Sequence, residues 1–542
     1  MVGSLAGRGD TVRSSHRRIV SPSHRLIVRL RLLLVAGSWQ LAAGCGGGQS
    51  APGTLIANVT LYDGSGAAPA IASVRIVGDS IVAVGNVEAK GDDWFIDGAG
   101  LALAPGFIDT HSHADYELEQ HRDALAAVSQ GITTVVVGQD GGSQFPLKDF
   151  FARLDSAPPA LNFASYSGHN TLRMRVMGQD FRRVATQAEV DSMRTLLLAD
   201  WDAGAIGLST GLEYDPGIYS SRKEVLDLAE AVGAEGGRYI SHIRSEDRAF
   251  WDAIDEIITI GREGRLPVQI SHAKLAMRSL WGQADSLIRV LDRARASGVE
   301  ITADVYPYTY WQSTLTVMFP ERNFTDRKAA EFALREVAAP EGLLLSRFAP
   351  DSSYVGKTVA EIARLRKTDP ATTLMRLIAE AEAMKAKGDE DVEGVIGTSM
   401  DERDVARLIA WPWSSISTDG ELAGRHPRGF GSFPRVLGRY VREQKVVTLE
   451  DAVRKMTSFA ARNMGLTDRG TITAGAKADL VLFSPDSIID LATTREPQTP
   501  AAGVRMVWVN GEVVYQDGKT TGRFPGRVLR VGGRTGSRSG KR

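Results

Sequence analysis

Nine histidines occur in the 542 residues, and four of them, together with two aspartates, point to a metal-dependent chemistry. His16 and His24 fall in an N-terminal leader. Of the other seven, His111, His113, His242 and His272 stand at the ends of short apolar runs, as do Asp140 and Asp419. Imidazole nitrogens and carboxylate oxygens are the usual ligands of zinc and similar divalent cations. The period-two alternation of a strand puts His111 and His113 on one side, with Ser112 opposite. Cys45 is the only cysteine, which excludes an internal disulfide and a thiolate-based zinc cluster.

These residues are far apart in sequence, so the fold must gather them. Eight apolar runs alternate with helical stretches: 103–113, 133–140, 162–169, 205–210, 238–244, 267–274, 301–308 and 415–419. Strands separated by helices imply a parallel sheet, and eight of them fit a TIM (β/α)8 barrel. In that fold the C-terminal strand ends surround one mouth, where the histidines and aspartates would meet. Residues 395–400 are a candidate for a further strand. Residues 105–466 are assigned to the barrel, with a helical insertion near its mouth over about 321–395. Short β-like runs at 54–104 and 467–530 are expected to pair into a small β-sandwich assembled from both chain ends. Residues 531–542, rich in Gly, Arg and Ser, are read as a disordered tail.

Residues 1–44 carry seven arginines and one acid, followed by an apolar run ending Leu41-Ala42-Ala43-Gly44-Cys45. That is the pattern of a signal peptide, with Cys45 placed for lipidation as in a bacterial lipoprotein. The expectation is an exported protein of the cell envelope or periplasm. Its contact with a membrane would be made only through an N-terminal lipid anchor, on a flexible tether at 45–53. The chain is 43% hydrophobic and 24% charged, and its formal charge is −1. Outside the basic leader the body is acidic and has no basic stripe, which argues against nucleic acid as a partner.

The segment Pro105-Gly106-Phe107-Ile108-Asp109-Thr110-His111-Ser112-His113 resembles the opening motif of the amidohydrolase superfamily. Gly207–Tyr214, Ser241-His242-Ile243-Arg244, Ser271-His272-Ala273-Lys274, Asp304–Tyr308, Ser417-Thr418-Asp419-Gly420 and His426-Pro427-Arg428 follow in order. Together they are similar to the N-acyl-D-amino-acid deacylase (D-aminoacylase) family, from about residue 54 to 530. Where that family commonly has a metal-bridging cysteine, this chain has Asp140, in Gly138-Gln139-Asp140-Gly141. A carboxylate can bind one metal or bridge two. The strand-four segment holds no lysine, which weighs against a carboxylated-lysine bridge.

The resemblance implies zinc-dependent hydrolysis of N-acyl-D-amino acids to a carboxylate and a free D-amino acid. His242, His272 and Asp140 would hold one tightly bound Zn2+, and His111 and His113 a second, weaker site. Asp419 would take the proton of the attacking water and pass it to the departing amine. The substrate is a small molecule with a free carboxylate, for which Lys274, Arg428, Tyr306 and Tyr214 are the candidate anchors. Two other readings remain open at this point: a D-residue-releasing dipeptidase or cyclic amidase, and an envelope binding lipoprotein with a degenerate site. His169 and Arg244 are read as structural braces, and Trp411 and Trp413 as packing residues.

Overall fold

Strands from the two ends of the chain complete one another. The computed structural model describes residues 52–389 and 391–533. In it, Thr54–Leu61, Ala70–Val77, Ser80–Gly85, Trp94–Asp97 and Ala102–Pro105 join Leu480–Phe483, Val504–Val509, Glu512–Gln516 and Lys519–Thr520 in one nine-stranded sheet. The seam is antiparallel, with Leu480 opposite Pro105 and Leu482 opposite Leu103. Alternation supplies its core: Ile56, Val74, Ile76, Leu103, Leu480, Leu482 and Trp508 are buried together. The segment expected to be a signal peptide, Cys45 and most of the expected tether lie outside the described residues. The tether ends sooner than expected, because Gly53 already donates its N–H to Asp93 (2.8 Å) and accepts from Trp94 (2.8 Å).

The barrel strands are Phe107–Asp109, Ile132–Val137, Asn162–Ser165, Gly207–Gly211, Arg238–His242, Val268–Ile270, Ile301–Val305 and Ser414–Ile416. Each pairs in parallel with its neighbours, the third through its extension Ser167–Gly168. The ends of the series meet where Ser112 bridges Gly420 and the Asp419 N–H donates to the His111 carbonyl (2.8 Å). The crossover helices carry their own start and stop signals. Gln187–Ala203, for example, begins with a Thr186/Glu189 capping box and ends at Gly204 with φ 117°.

The insertion differs from the sequence reading in one respect. Its helices are present (Arg327–Glu336, Val359–Arg366 and Pro370–Lys385), but they are joined by a three-stranded antiparallel sheet. Tyr310–Ser313 and Leu343–Phe348 flank Glu393–Thr398 in that sheet. The further strand expected near 395–400 therefore exists, and it belongs to the insertion and not to the barrel. The tail also differs, since Val531 and Gly532 donate N–H groups to Gly204 (3.1 Å) and Ala205 (3.0 Å), just before barrel strand four. Residues 534–542 lie outside the described residues.

Asp479 joins the two layers. Its buried carboxylate accepts from the Asn510 N–H (2.6 Å), from Asn162 Nδ2 in barrel strand three (3.0 Å) and from Arg469. Removing one member of a buried charged network leaves the others desolvated and unpaired. Asp479→Ala is expected to cost about 3–5 kcal/mol, read as a lower urea midpoint. An unchanged midpoint would show that the sheet and barrel hold together without it.

Candidate metal centre

All six chemically notable residues fall at or just beyond strand ends. His111 and His113 follow strand one, Asp140 strand two and Asp419 strand eight; His242 closes strand five and His272 follows strand six. Asp140 Oδ2 is the hub. It lies 3.5 Å from Nε2 of His111, of His113 and of His272. Asp419 Oδ1 is 3.4 Å from His111 Nε2 and 3.2 Å from His113 Nε2. On the other side, His242 Nδ1 and His272 Nε2 are 2.9 Å apart. Among the described residues, three groups have donor atoms within 4.8 Å of one another; Glu213/His242/Glu246 lies behind His242, and the other two, His111/His113/Asp140/Asp419 and Asp140/His242/His272, share an aspartate. That shared aspartate is Asp140.

The backbone is bent to achieve this. Asp140, His272 and Asp419 have φ of 52°, 36° and 47°, a left-handed region that costs non-glycine residues roughly 1–3 kcal/mol. Gly138 permits the turn that aims Asp140: its φ is 74°, and a Cβ there would stand 2.3 Å from the Tyr166 carbonyl.

Charge is concentrated here. Burial disfavours the imidazolium of His113, yet Asp140 and Asp419 outweigh it and raise its pKa to about 10. Burial also opposes the Asp419 and Asp140 carboxylates. Arg428 and His111 nonetheless hold Asp419 well below the usual range, and His111 and His272 do the same for Asp140. Carboxylates fixed in this way create a potential that favours any cation. The donors also fit a metal by being orphaned. Among the described residues, neither ring nitrogen of buried His111 nor Asp140 Oδ1 makes a hydrogen bond, and nitrogen and oxygen donors of this kind suit zinc.

Around the donors lies a ring of carboxylates that sequence reasoning missed. His242 Nε2 bonds Glu213 Oε2 (3.0 Å), which leaves Nδ1 facing the cluster. His272 Nδ1 is 3.1 Å from Glu246 Oε1 and 2.7 Å from Lys274 Nζ. Asp304 accepts the His272 N–H (2.9 Å) and lies 3.6 Å from His111 Nδ1. Glu213 and Asp304 do carry a signal, since both stand at strand ends. Glu246 has none.

The expected substrate anchors are gathered too, but they are already engaged. Lys274 Nζ pairs with Glu246 (2.6 Å), and Arg428, which opens the helix Arg428–Arg435, pairs with Asp419 Oδ2 (2.5 Å). The Arg428 guanidinium sits 5.0 Å from the centre of the buried Tyr306 ring. The Tyr214 ring is 4.4 Å from that of His242. His169 and Arg244 act elsewhere as braces, on Glu224 (2.9 Å) and Glu256 (2.8 Å). Trp411 is buried and donates to Asp292 (2.9 Å), whereas Trp413 is partly exposed beneath Arg295.

A parallel-stranded barrel with a composite β-domain and convergent histidines at its mouth defines a class, and sequence comparison agrees with it. The amidohydrolase family model matches residues 95–417 and 355–515, and the chain belongs to that family. N-acyl-D-glutamate deacylase of Alcaligenes xylosoxydans xylosoxydans is 35% identical over 494 residues, covering 87% of this chain and 95% of that protein. D-aminoacylase of the same organism is 34% identical over 504 residues (88% and 97%). Among solved structures, N-acyl-D-glutamate deacylase from Bordetella bronchiseptica superposes with a TM-score of 0.79 at 34% identity, covering 89% of this chain and all of that one. That protein was crystallised with zinc and a phosphonate that mimics the tetrahedral intermediate.

Proposed function

We propose that the chain hydrolyses the amide bond of N-acyl-D-amino acids with the help of bound zinc. The observation that carries this reading is the sharing of Asp140 between two imidazole groups beside Asp419. The D-configuration of the substrate is supported by the relatives named above, which are a D-glutamate deacylase and a D-aminoacylase.

His242, His272 and Asp140 would hold one zinc, and His111 and His113, with Asp140, a second, weaker one. Zinc, when bound, supplies Lewis acidity that lowers the pKa of water and polarises the scissile carbonyl. Asp419 takes the proton of the attacking water through one carboxylate oxygen, then delivers it to the amine nitrogen, which leaves poorly unprotonated. Glu213 fixes the tautomer of His242. Once His272 offers Nε2 as a ligand, its proton must sit on Nδ1, which then donates to Glu246 and no longer accepts from Lys274. That change loosens Lys274 for a substrate carboxylate, beside the Arg428 fork and the buried Tyr306 hydroxyl.

Exhaustive chelation is the direct test. Turnover of an N-acetyl-D-amino acid should vanish and return on adding zinc; full activity in the stripped protein, or turnover of L-substrates alone, would refute the reading. Glu213→Ala should weaken zinc binding about 10–100-fold, measured by competition with a chelating dye. Unaltered affinity would mean that Glu213 does not position His242.

A further inference from the structure

A further buried imidazole has no part in the metal cluster. His426 is 3% exposed and stands between barrel strand eight and the helix Arg428–Arg435. Its Nε2 is 3.0 Å from the Tyr310 carbonyl, and its Nδ1 is 3.0 Å from the Arg428 backbone nitrogen. A carbonyl only accepts and a backbone N–H only donates, so the proton sits on Nε2 and both neighbours fix the tautomer. Burial and the adjacent Arg428 charge hold this ring well below the usual imidazole range, which keeps it neutral. The rings of Tyr306, Tyr308 and Tyr310 pack around it, with centres 6.4, 5.6 and 4.8 Å away.

Each of its two bonds ends on a part of the site. Tyr310 begins the insertion strand Tyr310–Ser313, whose Gln312 and Ser313 line the same two cavities as Asp419 and Arg428. Arg428 is the first residue of its helix, where the N–H has no acceptor within the helix. The preceding Pro427 has no side-chain group to cap it, and His426 Nδ1 fills that place. The Arg428 guanidinium lies over the same Tyr306 ring that packs on His426. Arg425 also ties this loop to the insertion, at the Ser346 carbonyl (3.2 Å). One neutral ring therefore joins the wall of the cavities to the backbone of the expected carboxylate anchor.

We propose that His426 is a positioning residue: its two hydrogen bonds set Arg428 at a fixed place relative to the insertion wall, so that the guanidinium meets the substrate carboxylate. This rests on the deacylase reading and gives work to a residue which that reading leaves idle. His426 neither gives nor takes a proton during turnover. It acts as a strut, through Arg428.

The zinc-loaded enzyme and its variants are to be assayed on N-acetyl-D-leucine. His426→Phe keeps a ring and loses both bonds. It should raise KM by about tenfold or more and leave kcat within about threefold, the mark of lost binding and not of lost chemistry. His426→Asn can still accept from the Arg428 N–H and should recover most of the loss. His426→Gln, which reaches only toward Tyr310, should recover less. With Arg428→Ala already in place, His426→Phe should change kcat/KM by less than about twofold, because its effect passes through Arg428. A merely structural role would multiply the two losses and lower kcat as well. An unmoved KM in His426→Phe, a glutamine variant that equals or betters the asparagine one, or losses that multiply in the double variant overturns this proposal and leaves the deacylase reading standing. Should His426→Phe fail to fold, the comparison of His426→Asn with His426→Gln decides alone. Inactivity of the unsubstituted enzyme toward N-acetyl-D-leucine overturns both.

Discussion

Asp419→Asn should keep its zinc and lose turnover by about 10²–10⁴-fold, the range of a positioned general acid–base. The amide is nearly isosteric with the carboxylate and preserves the barrel closure, which uses the Asp419 backbone N–H and not its side chain. The His242/His272/Asp140 group does not include Asp419, so the tightly held metal should remain. What disappears is the ability to accept a proton. Metal analysis beside steady-state kinetics separates the two effects, and a kcat within a few-fold of the parent would place the proton transfer on another group. Arg428 loses its ionic partner in the same variant, so KM for a substrate carboxylate should fall or hold while kcat collapses.

Asp140→Ala is the second large effect. It removes the oxygen that faces His111, His113 and His272 at once. Losing the shared ligand should forfeit several kcal/mol of metal-dependent stabilisation, on the order of 10³ in rate, together with measurable zinc. Asp140→Cys is the informative partner, because it restores a metal-binding side chain of the kind that the resemblance led one to expect. Its backbone is the handicap. At φ 52° aspartate is better tolerated than most residues, and cysteine pays about 1–2 kcal/mol more. The cysteine variant should therefore regain zinc and most activity, with lower thermal stability. If Asp140→Ala binds zinc and turns over like the parent, Asp140 is not a ligand.

The barrel was legible because each strand is a short apolar run, and the residues with reactive side chains interrupt those runs at their C-terminal ends. His111, His242 and Asp419 could be placed at one mouth without any contact information. The antiparallel sheet of the insertion was not legible. Leu343–Phe348 and Glu393–Thr398 are separated by two helices, and each run alone is ambiguous. Glu246 was missed for a similar reason: it follows a strand by several residues, and only the folded chain brings it to Lys274 and His272. The engagement of Arg428 with Asp419 also belongs to the folded state. Sequence offers a cation and an anion nine residues apart, without saying whether they pair. The start of the tail misled because the Gly- and Arg-rich composition of 531–542 suggested disorder, whereas Val531 and Gly532 bond the backbone of Gly204 and Ala205, just before barrel strand four.

The seam between Ala102–Pro105 and Leu480–Phe483 has a consequence for synthesis. A nascent chain emerging from the ribosome offers the first five strands of that sheet long before the last four exist. Until nearly all of the polypeptide has been delivered, Ala102–Pro105 keeps a bare edge, the kind of surface that recruits stray strands from other molecules. Products halted before Leu480 should therefore clump, even when their barrel portion is nearly complete.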